Sequence, residues 1–541
     1  FIVCRTINVL RPPLKSSLNI ITHISYNLHT NIPKKLIHYL NIYLNFILLY
    51  FNLFLKVILW YNLWYYFILY FERTDLVNYI NSILSSIDDF MYTNILIILL
   101  VIAGIYFTVR TRFVQIRMIP DALKLIAEKT NNKNSISSFQ ALMISTASRV
   151  GTGNIAGVAT AISLGGAGSI FWMWVLALIG AASAFIESAL AQLYKIRDGE
   201  NFRGGPAYYI QKALGQRWLG ITFAVLLILC FGYGFNALQS YNVGSSIEYY
   251  FGDQYASSFV PYIVGGVLAI LTAAVIFGGV HRIGIISSTI VPVMALLYIG
   301  SGLYICLTNL NLMPDIFTTI FSQAFDFKSI FGGFAGSCLI YGAKRGLFSN
   351  EAGMGSAPNA GATADVDHPA KQGLVQMISV FIDTLLICST TAMMLMIYNT
   401  NPINEKGMSY VQQAIKYEFG EIGIHLITIS VILFAFSSLI GNYCYAESNL
   451  KFIKDNKILL QIFRCSVVLS VFLGALSNFD TVWSIADILM GLMAIVNIVA
   501  ILLLSNSAIK TLEDYQKKKK SSSSTAFKAA DIGIYNTTLW K

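Results

Sequence analysis

The stretch Arg149-Val-Gly-Thr-Gly-Asn-Ile-Ala-Gly157 sets Gly151, Gly153 and Ala156 on the spacing of a dinucleotide-binding turn. That turn works only with a strand before it, a βαβ unit around it and an acid about 20 residues further on to hold the ribose. Here "SSFQALMISTAS" precedes it, "VATAISL" follows, and the place for the acid reads "FWMWVLALIGAA". A nucleotide is excluded. What remains is backbone freedom beside a hydroxyl (Thr152) and an amide (Asn154) inside an apolar segment. At membrane depth such backbone is tolerated only where it lines a cavity or is buried in protein. Unwinding a helix frees amides on one half and carbonyls on the other, the first suited to a carboxylate and the second to a cation. Packing through small residues accounts for Gly153 and Gly157 without any ligand, but not for Gly151 next to Thr152 and Asn154.

A second polar, glycine-rich stretch runs from Phe331 to Ala364 and carries Lys344, Arg345, Asn350 and Glu351 among Gly342, Gly346, Gly353 and Gly355. Ionisable groups at membrane depth are costly and usually functional; a plain cytoplasmic loop would use the same glycines and Pro358. Ser437 and Ser438 are adjacent hydroxyls in the apolar run "VILFAFSSLIGNYCYAE". They can ligate a hard cation or bond back to their own helix. Glu187 is read as a structural partner of a cation such as Arg149 or Lys344, while Asp383 stays open between pairing and proton-linked chemistry. Asp480 and Asp487 are placed toward the outer end of the last span, and His281 and His425 have no metal-ligand spacing. Without a G-x-S-x-G or a cluster of His, Cys and Asp, an enzyme is not expected.

The elements that must hold these residues are membrane helices. The 541 residues are 56% hydrophobic and 12% charged, against about 25% charged in soluble domains. The net charge of +10 marks cytoplasmic loops rather than a nucleic-acid partner. The cysteines are scattered and read as small packing residues. Stretches near the 20 residues needed to cross a bilayer fall at 93–109, 138–164, 168–194, 218–240, 261–279, 283–306, 330–356, 371–398, 422–447, 458–476 and 481–505, eleven in all. Lys and Arg gather after the first, third, ninth and last of these, which puts the start of the first outside and the residues after 505 inside. The tail "KKKKSSSSTAF" is expected to be disordered. The two glycine-rich stretches are the first and sixth of a ten-helix set beginning at 138, the signature of an inverted repeat with its site at the midplane. Residues 1–74 contain no Gly, Ala or Met and are read as translated AT-rich DNA upstream of the gene. A chain beginning near Asp75 is expected to insert and transport as well as the full one.

The motifs at 145–162 ("STASRVGTGNIAGVATAI"), 170–195, 203–210 ("RGGPAYYI") and 344–360 ("KRGLFSNEAGMGSAPNA") closely resemble the alanine or glycine:cation symporter family, from about Asp75 to Glu513. The resemblance implies an all-α, LeuT-like fold: one extra helix with its loop (75–137), five-helix repeats at 138–306 and 330–505, and a cytoplasmic tail (506–541). It implies import of alanine or glycine by alternating access with a co-transported sodium ion, or with protons in some members, across the cell membrane, here a bacterial inner membrane. By the same resemblance sodium is held by carbonyls of Ala147 and Val150 with the hydroxyls of Ser437 and Ser438. The substrate carboxylate is then expected at the amides of Gly151, Thr152, Gly153 and Asn154, and its amino group at carbonyls around Gly342 to Gly346. A channel, the competing class, would favour a continuous polar stripe or a charged ring over two glycine-rich breaks.

Overall fold

The computed structural model describes residues 75–128, 135–199, 201–325, 334–398, 406–521 and 526–541, the side chains of 75–80 and 334–337 excepted. The expectation for residues 1–74 therefore lies outside the described residues. The described part is mainly helical, with one two-stranded hairpin, Ile196–Asp198 with Asn201–Arg203, and one isolated parallel bridge, Ile136 with Ala364.

In chain order the helices are α1 (Asn81–Arg110), α2 (Ile119–Ile126), α3 (Ser138–Arg149), α4 (Ala156–Gly165), α5 (Gly168–Leu193), α6 (Pro206–Ala213), α7 (Arg217–Glu248) and α8 (Val260–Ile276). They continue with α9 (Gly279–Thr308), α10 (Met313–Ala324), α11 (Phe334–Asn350), α12 (Pro369–Tyr398), α13 (Gly407–Phe419), α14 (Glu421–Ile453), α15 (Lys457–Gly474) and α16 (Phe479–Lys520). Eight of them (α1, α5, α7, α9, α12, α14, α15 and α16) are long and apolar enough to cross a membrane. The other three expected spans take different forms: α8 has 17 residues, and the stretches expected at 138–164 and 330–356 are interrupted. The chain is a multi-pass membrane protein.

Local signals fix where these helices start. Ser137 and Gln140 form a reciprocal capping box at α3, with Gln140 N donating to Ser137 Oγ (3.1 Å) and Ser137 N to Gln140 Oε1 (3.0 Å). Pro206 and Pro369 open α6 and α12 at positions where the missing N–H costs nothing. Asn456 and Asn478 cap α15 and α16. Outward faces of α8, α9 and α15 present Ile263, Ile270, Leu296, Ile458 and Ile462, apolar surface that suits a lipid solvent. α5 runs through the middle, packed along α11 and α12 and flanked by α1 and α10. Three helices contain π-helical turns, at Tyr92–Leu96, Ile228–Gly234 and Phe381–Cys388. Such turns often mark functional positions, and the last one carries Asp383.

The end of the bundle rich in Lys and Arg is laced by ion pairs, Lys371 with Glu128 (2.5 Å) and Asp367 (2.7 Å), and Arg203 with Asp455 (2.9 Å). Of the stretch 517–527 expected to be disordered, residues 522–525 lie outside the described residues, while Lys517–Lys520 continue α16 and Phe527 is buried. Residues 526–541 fold back onto this end, with Phe527 and Trp540 buried, because two large aromatic side chains give the segment an apolar anchor that its polar start conceals.

Candidate functional site

The first break is short and tightly held. α3 ends where Val150 turns to ψ 85°; Gly151 is extended, Thr152–Asn154 form one 3-10 turn, and α4 begins at Ala156. The Gly151 amide turns to the Arg149 carbonyl (3.0 Å) and Asn154 Oδ1 (3.0 Å). The Ala147 carbonyl thereby loses its helical donor and lies at the electron-rich end of α3. Thr152 donates to Gln239 Oε1 through both its amide (3.0 Å) and its hydroxyl (2.8 Å), and accepts from Asn242 Nδ2 (2.7 Å). One amide oxygen of α7 therefore occupies the donor pair that a carboxylate oxygen would use.

The absence of side chains at two positions is required by close approach. A Cβ on Gly151 would lie 2.8 Å from Gln239 Nε2 and would overlap Ser438 Oγ. A Cβ on Gly153 would sit inside van der Waals contact of the Phe348 ring. Phe348 in turn is wedged between Phe235 (4.6 Å between centroids) and Trp483 (5.3 Å).

Asn154 joins the first break to α11 and α12. Its side-chain Nδ2 has Asp383 Oδ1 (2.6 Å), Ser349 Oγ (3.0 Å) and Cys388 Sγ (3.2 Å) within reach of its two hydrogens, and its backbone carbonyl accepts from Thr391 Oγ1 (2.6 Å). Asp383 also accepts from Ser349 and from the Thr384 hydroxyl (3.1 Å). Left unresolved by the sequence, Asp383 is thus a fully buried carboxylate hydrogen-bonded to the break.

The second interruption follows α11 at residues 351–357. Glu351, Gly353 and Gly355 take positive φ values of 55°, 82° and 86°, left-handed geometry that is easy for glycine and strained for glutamate. Glu187 of α5 holds this loop, accepting from the amides of Gly353 (3.2 Å) and Gly355 (3.0 Å) and from Asn497 Nδ2 (2.8 Å). Its partners are backbone amides in a nest-like turn, not Arg149 or Lys344. Arg149 lies 3.9 Å from Glu351 and also reaches Ser379 and the Gln376 carbonyl. Glu351 accepts from Ser148 Oγ (3.1 Å) and Ser356 Oγ (2.6 Å), so it bridges the two broken elements directly. Lys344 pairs with Asp88 (2.7 Å) and Asp89 (3.2 Å) on α1. Asp487, placed by sequence toward the outer end, is a buried partner of Arg345.

The two breaks meet at the level of Asn154–Ser349, Gly153–Phe348 and Ser148–Glu351. Gly342 and Gly346 lie higher, within regular α11, and face α5: a Cβ on Gly342 would be 2.7 Å from the Ser169 carbonyl, and one on Gly346 3.6 Å from Met173. Ser438 Oγ reaches the Val150 carbonyl at 3.5 Å, whereas Ser437 donates to Phe434 O (2.9 Å) in its own helix and to Met294 Sδ (3.4 Å). Ala147 is buried on α3, and α14 touches that helix closely, with Gly441 against Ser148. Gln239, Asn242, Phe348, Ser349 and Thr391 were not singled out from sequence. Asn236, Gln239 and Asn242 recur every third residue in an apolar span, a polar helical stripe that marks a buried site.

Two interrupted helices that meet inside the bundle, with buried polar groups converging on them, are the arrangement expected of a membrane transporter. The comparison with known proteins carries this further. The sodium:alanine symporter family profile matches residues 77–529, and the chain belongs to that family. It is 46% identical over 465 residues to the amino-acid carrier protein AlsT of Bacillus subtilis (strain 168), covering 86% of this chain and 98% of that one. It is 38% identical over 457 residues to the sodium/alanine symporter AgcS of Methanococcus maripaludis, covering 82% and 99%. A third relative, the sodium/proton-dependent alanine carrier protein of Bacillus sp. (strain PS3), is 35% identical over 438 residues, covering 77% and 97%.

Proposed function

We propose that this chain imports alanine or glycine in symport with sodium by alternating access, through a LeuT-like pair of five-helix repeats, 138–306 and 330–505, preceded by one extra helix. The observation that carries the reading is the meeting of the two breaks. Thr152 offers an amide and a hydroxyl to a single oxygen of Gln239, and a substrate carboxylate takes that oxygen's place when Gln239 turns aside. Gly151 to Asn154 thus bind the carboxylate. The amino group is given to oxygens at the level of Ser349 and Glu351, because Gly342 and Gly346 face α5. Phe348 and Trp483 close over the small side chain, which favours alanine and glycine over larger residues.

Sodium, as the second cargo, fits the carbonyls of Ala147 and Val150 with the hydroxyl of Ser438, an all-oxygen set at a helix C-terminus. Ser437 joins that set by rotating away from Phe434. Replacing Ser438 by Ala is therefore expected to raise the sodium concentration for half-maximal uptake by about ten-fold, and replacing Ser437 to raise it less. Sodium activation curves of the two variants and their double check this, and an unchanged curve in the double removes both residues from the site. Proton coupling is a second reading, favoured by the buried Asp383 hydrogen-bonded to the break.

The deciding experiment is radiolabelled alanine uptake into vesicles holding the purified protein, with sodium and proton gradients imposed separately and a panel of small neutral amino acids as competitors. Concentrative uptake driven by sodium alone supports the symporter. Uptake driven by a proton gradient without sodium supports the second reading, and equilibration without concentration would make the chain a facilitator.

A further inference from the structure

The apolar stripe that α1 turns to lipid does not stop where the helix stops. Ile95, Ile98, Ile102, Ile105 and Val109 recur every three or four residues and are all exposed, the face that a span presents to acyl chains. Beyond Arg110 the chain turns sharply, yet large apolar side chains stay on the outside: Phe113, Ile116 and Leu123 are 52, 60 and 54% exposed. The other side of the same stretch is packed against the protein, with Val114, Met118, Ala122 and Leu125 buried. A segment bathed in water would carry polar groups where those three side chains stand.

The turn after α1 is strained and firmly held. Arg112 and Phe113 take φ values of 56° and 57°, left-handed geometry that a Cβ disfavours. Such geometry persists only where its surroundings fix it. Arg117 does so, donating from Nε to the Arg112 carbonyl (3.3 Å) and from Nη2 to the Thr111 carbonyl (3.3 Å), while Gln115 Nε2 donates to Thr108 Oγ1 (2.8 Å). Asp121 of α2 pairs with Lys519 of α16, and Glu128 pairs with Lys371 of α12 (2.5 Å), so the stretch is pinned to the Lys/Arg-rich end of the bundle. Two glycines would make the same turn without strain. What Arg112 and Phe113 add is an exposed guanidinium beside an exposed ring.

The cations on this face have no acids to meet. Arg110, Arg112 and Lys124 are exposed, and among the described residues none of them has a carboxylate within ion-pair distance, because Asp121 and Glu128 are turned to Lys519 and Lys371. The Arg110 guanidinium lies over the Tyr106 ring, 5.7 Å from its centroid. A face that alternates cations with large apolar side chains suits a membrane surface, where rings and aliphatic stems enter the acyl boundary and charged ends meet headgroups. An isologous contact with a second copy of the chain would set the same cations against one another, and like charges across an interface are costly.

We propose that residues 110–124 form a docking site for anionic phospholipid in the leaflet at the Lys/Arg-rich end: Phe113, Ile116 and Leu123 enter the acyl boundary, and Arg110, Arg112 and Lys124 hold the phosphate-bearing headgroups. The attraction of a cation to such a surface falls off within a Debye length, so the site distinguishes anionic from zwitterionic lipid and weakens in salt. The proposal goes beyond the transport reading and stands whichever solute the chain carries.

Tryptophan reporters on the full chain, in vesicles of equal parts phosphatidylglycerol and phosphatidylcholine, test it. Bromine on the acyl chains of one lipid or the other quenches a tryptophan that those chains touch, and each reading is taken against the same protein without the reporter. For Phe113→Trp and for Leu123→Trp, quenching by the brominated phosphatidylglycerol is expected to be about three-fold stronger than by the brominated phosphatidylcholine. For Ile263→Trp, on the exposed face of α8, the two are expected to be equal. Arg110→Gln, Arg112→Gln and Lys124→Gln together are expected to bring the ratio at 113 to one. Salt at 1 M, where the Debye length is about 3 Å, is expected to lower that ratio without any substitution. Equal quenching by the two lipids at 113 and 123, the same preference at 263, or a preference that survives neutralisation or salt overturns the site. Absence of quenching by either lipid at 113 and 123 places protein over this face and overturns it as well.

Discussion

Gly153→Ala is expected to lower alanine uptake per folded molecule by about 100-fold, or about 2.7 kcal/mol of transition-state stabilisation. Glycine uptake is expected to fall less. The added methyl enters the space of the Phe348 ring, and that ring cannot retreat because Phe235 and Trp483 flank it at 4.6 and 5.3 Å. A close-packed interior has no spare volume for one more carbon, so the ring is pushed toward the substrate and competes with the alanine side chain. Shrinking the neighbour should relieve the clash: Gly153→Ala with Phe348→Leu is expected to recover part of the lost rate. Alanine and glycine uptake, measured separately for wild type, single and double variants, check the prediction. If Gly153 serves packing alone, the single variant gives less folded protein, and the survivors keep the wild-type ranking and affinity.

Asp383→Asn is expected to abolish concentrative uptake, by about 100-fold or more, while leaving most of the protein folded. The carboxylate accepts from Asn154, Ser349 and Thr384. An asparagine fills the same volume but keeps one acceptor oxygen and turns an amide toward donors already aimed at it. A buried donor left without an acceptor costs roughly 1–3 kcal/mol, and here it falls on the side chain that caps the Gly151 amide. The break itself therefore loses its shape. Folded abundance, substrate binding and sodium-driven uptake are the three measurements. Normal uptake at normal abundance would make Asp383 a spectator; lost binding together with lost uptake places its effect at the first break.

The sequence by itself determined the membrane class, eight of its apolar spans and the interruption at Gly151 to Asn154. It could do so because apolar length and Gly-rich polar insertions are local properties, written in consecutive residues. The motifs around 145–162 and 344–360 likewise carried the family. What sequence left open was which side chains face one another. Glu187 was read as the partner of a cation, yet it holds the amides of Gly353 and Gly355, and Arg149 turns instead to Glu351. Ser437 and Ser438 are indistinguishable as adjacent hydroxyls, but the 100° step between neighbours on a helix sends one toward Val150 and the other back to Phe434. Gly342 and Gly346 shared the composition of the second break without sharing its depth, since α11 stays regular until Asn350. The stretch 517–527 reads as polar and low in complexity, and the two aromatic anchors of the tail, Phe527 and Trp540, have no periodicity to read. Periodicity and composition report on one element at a time, whereas the identity of a buried charge's partner is settled by helices up to 310 residues apart in the chain, as Glu187 and Asn497 are, and only the tertiary structure brings them together.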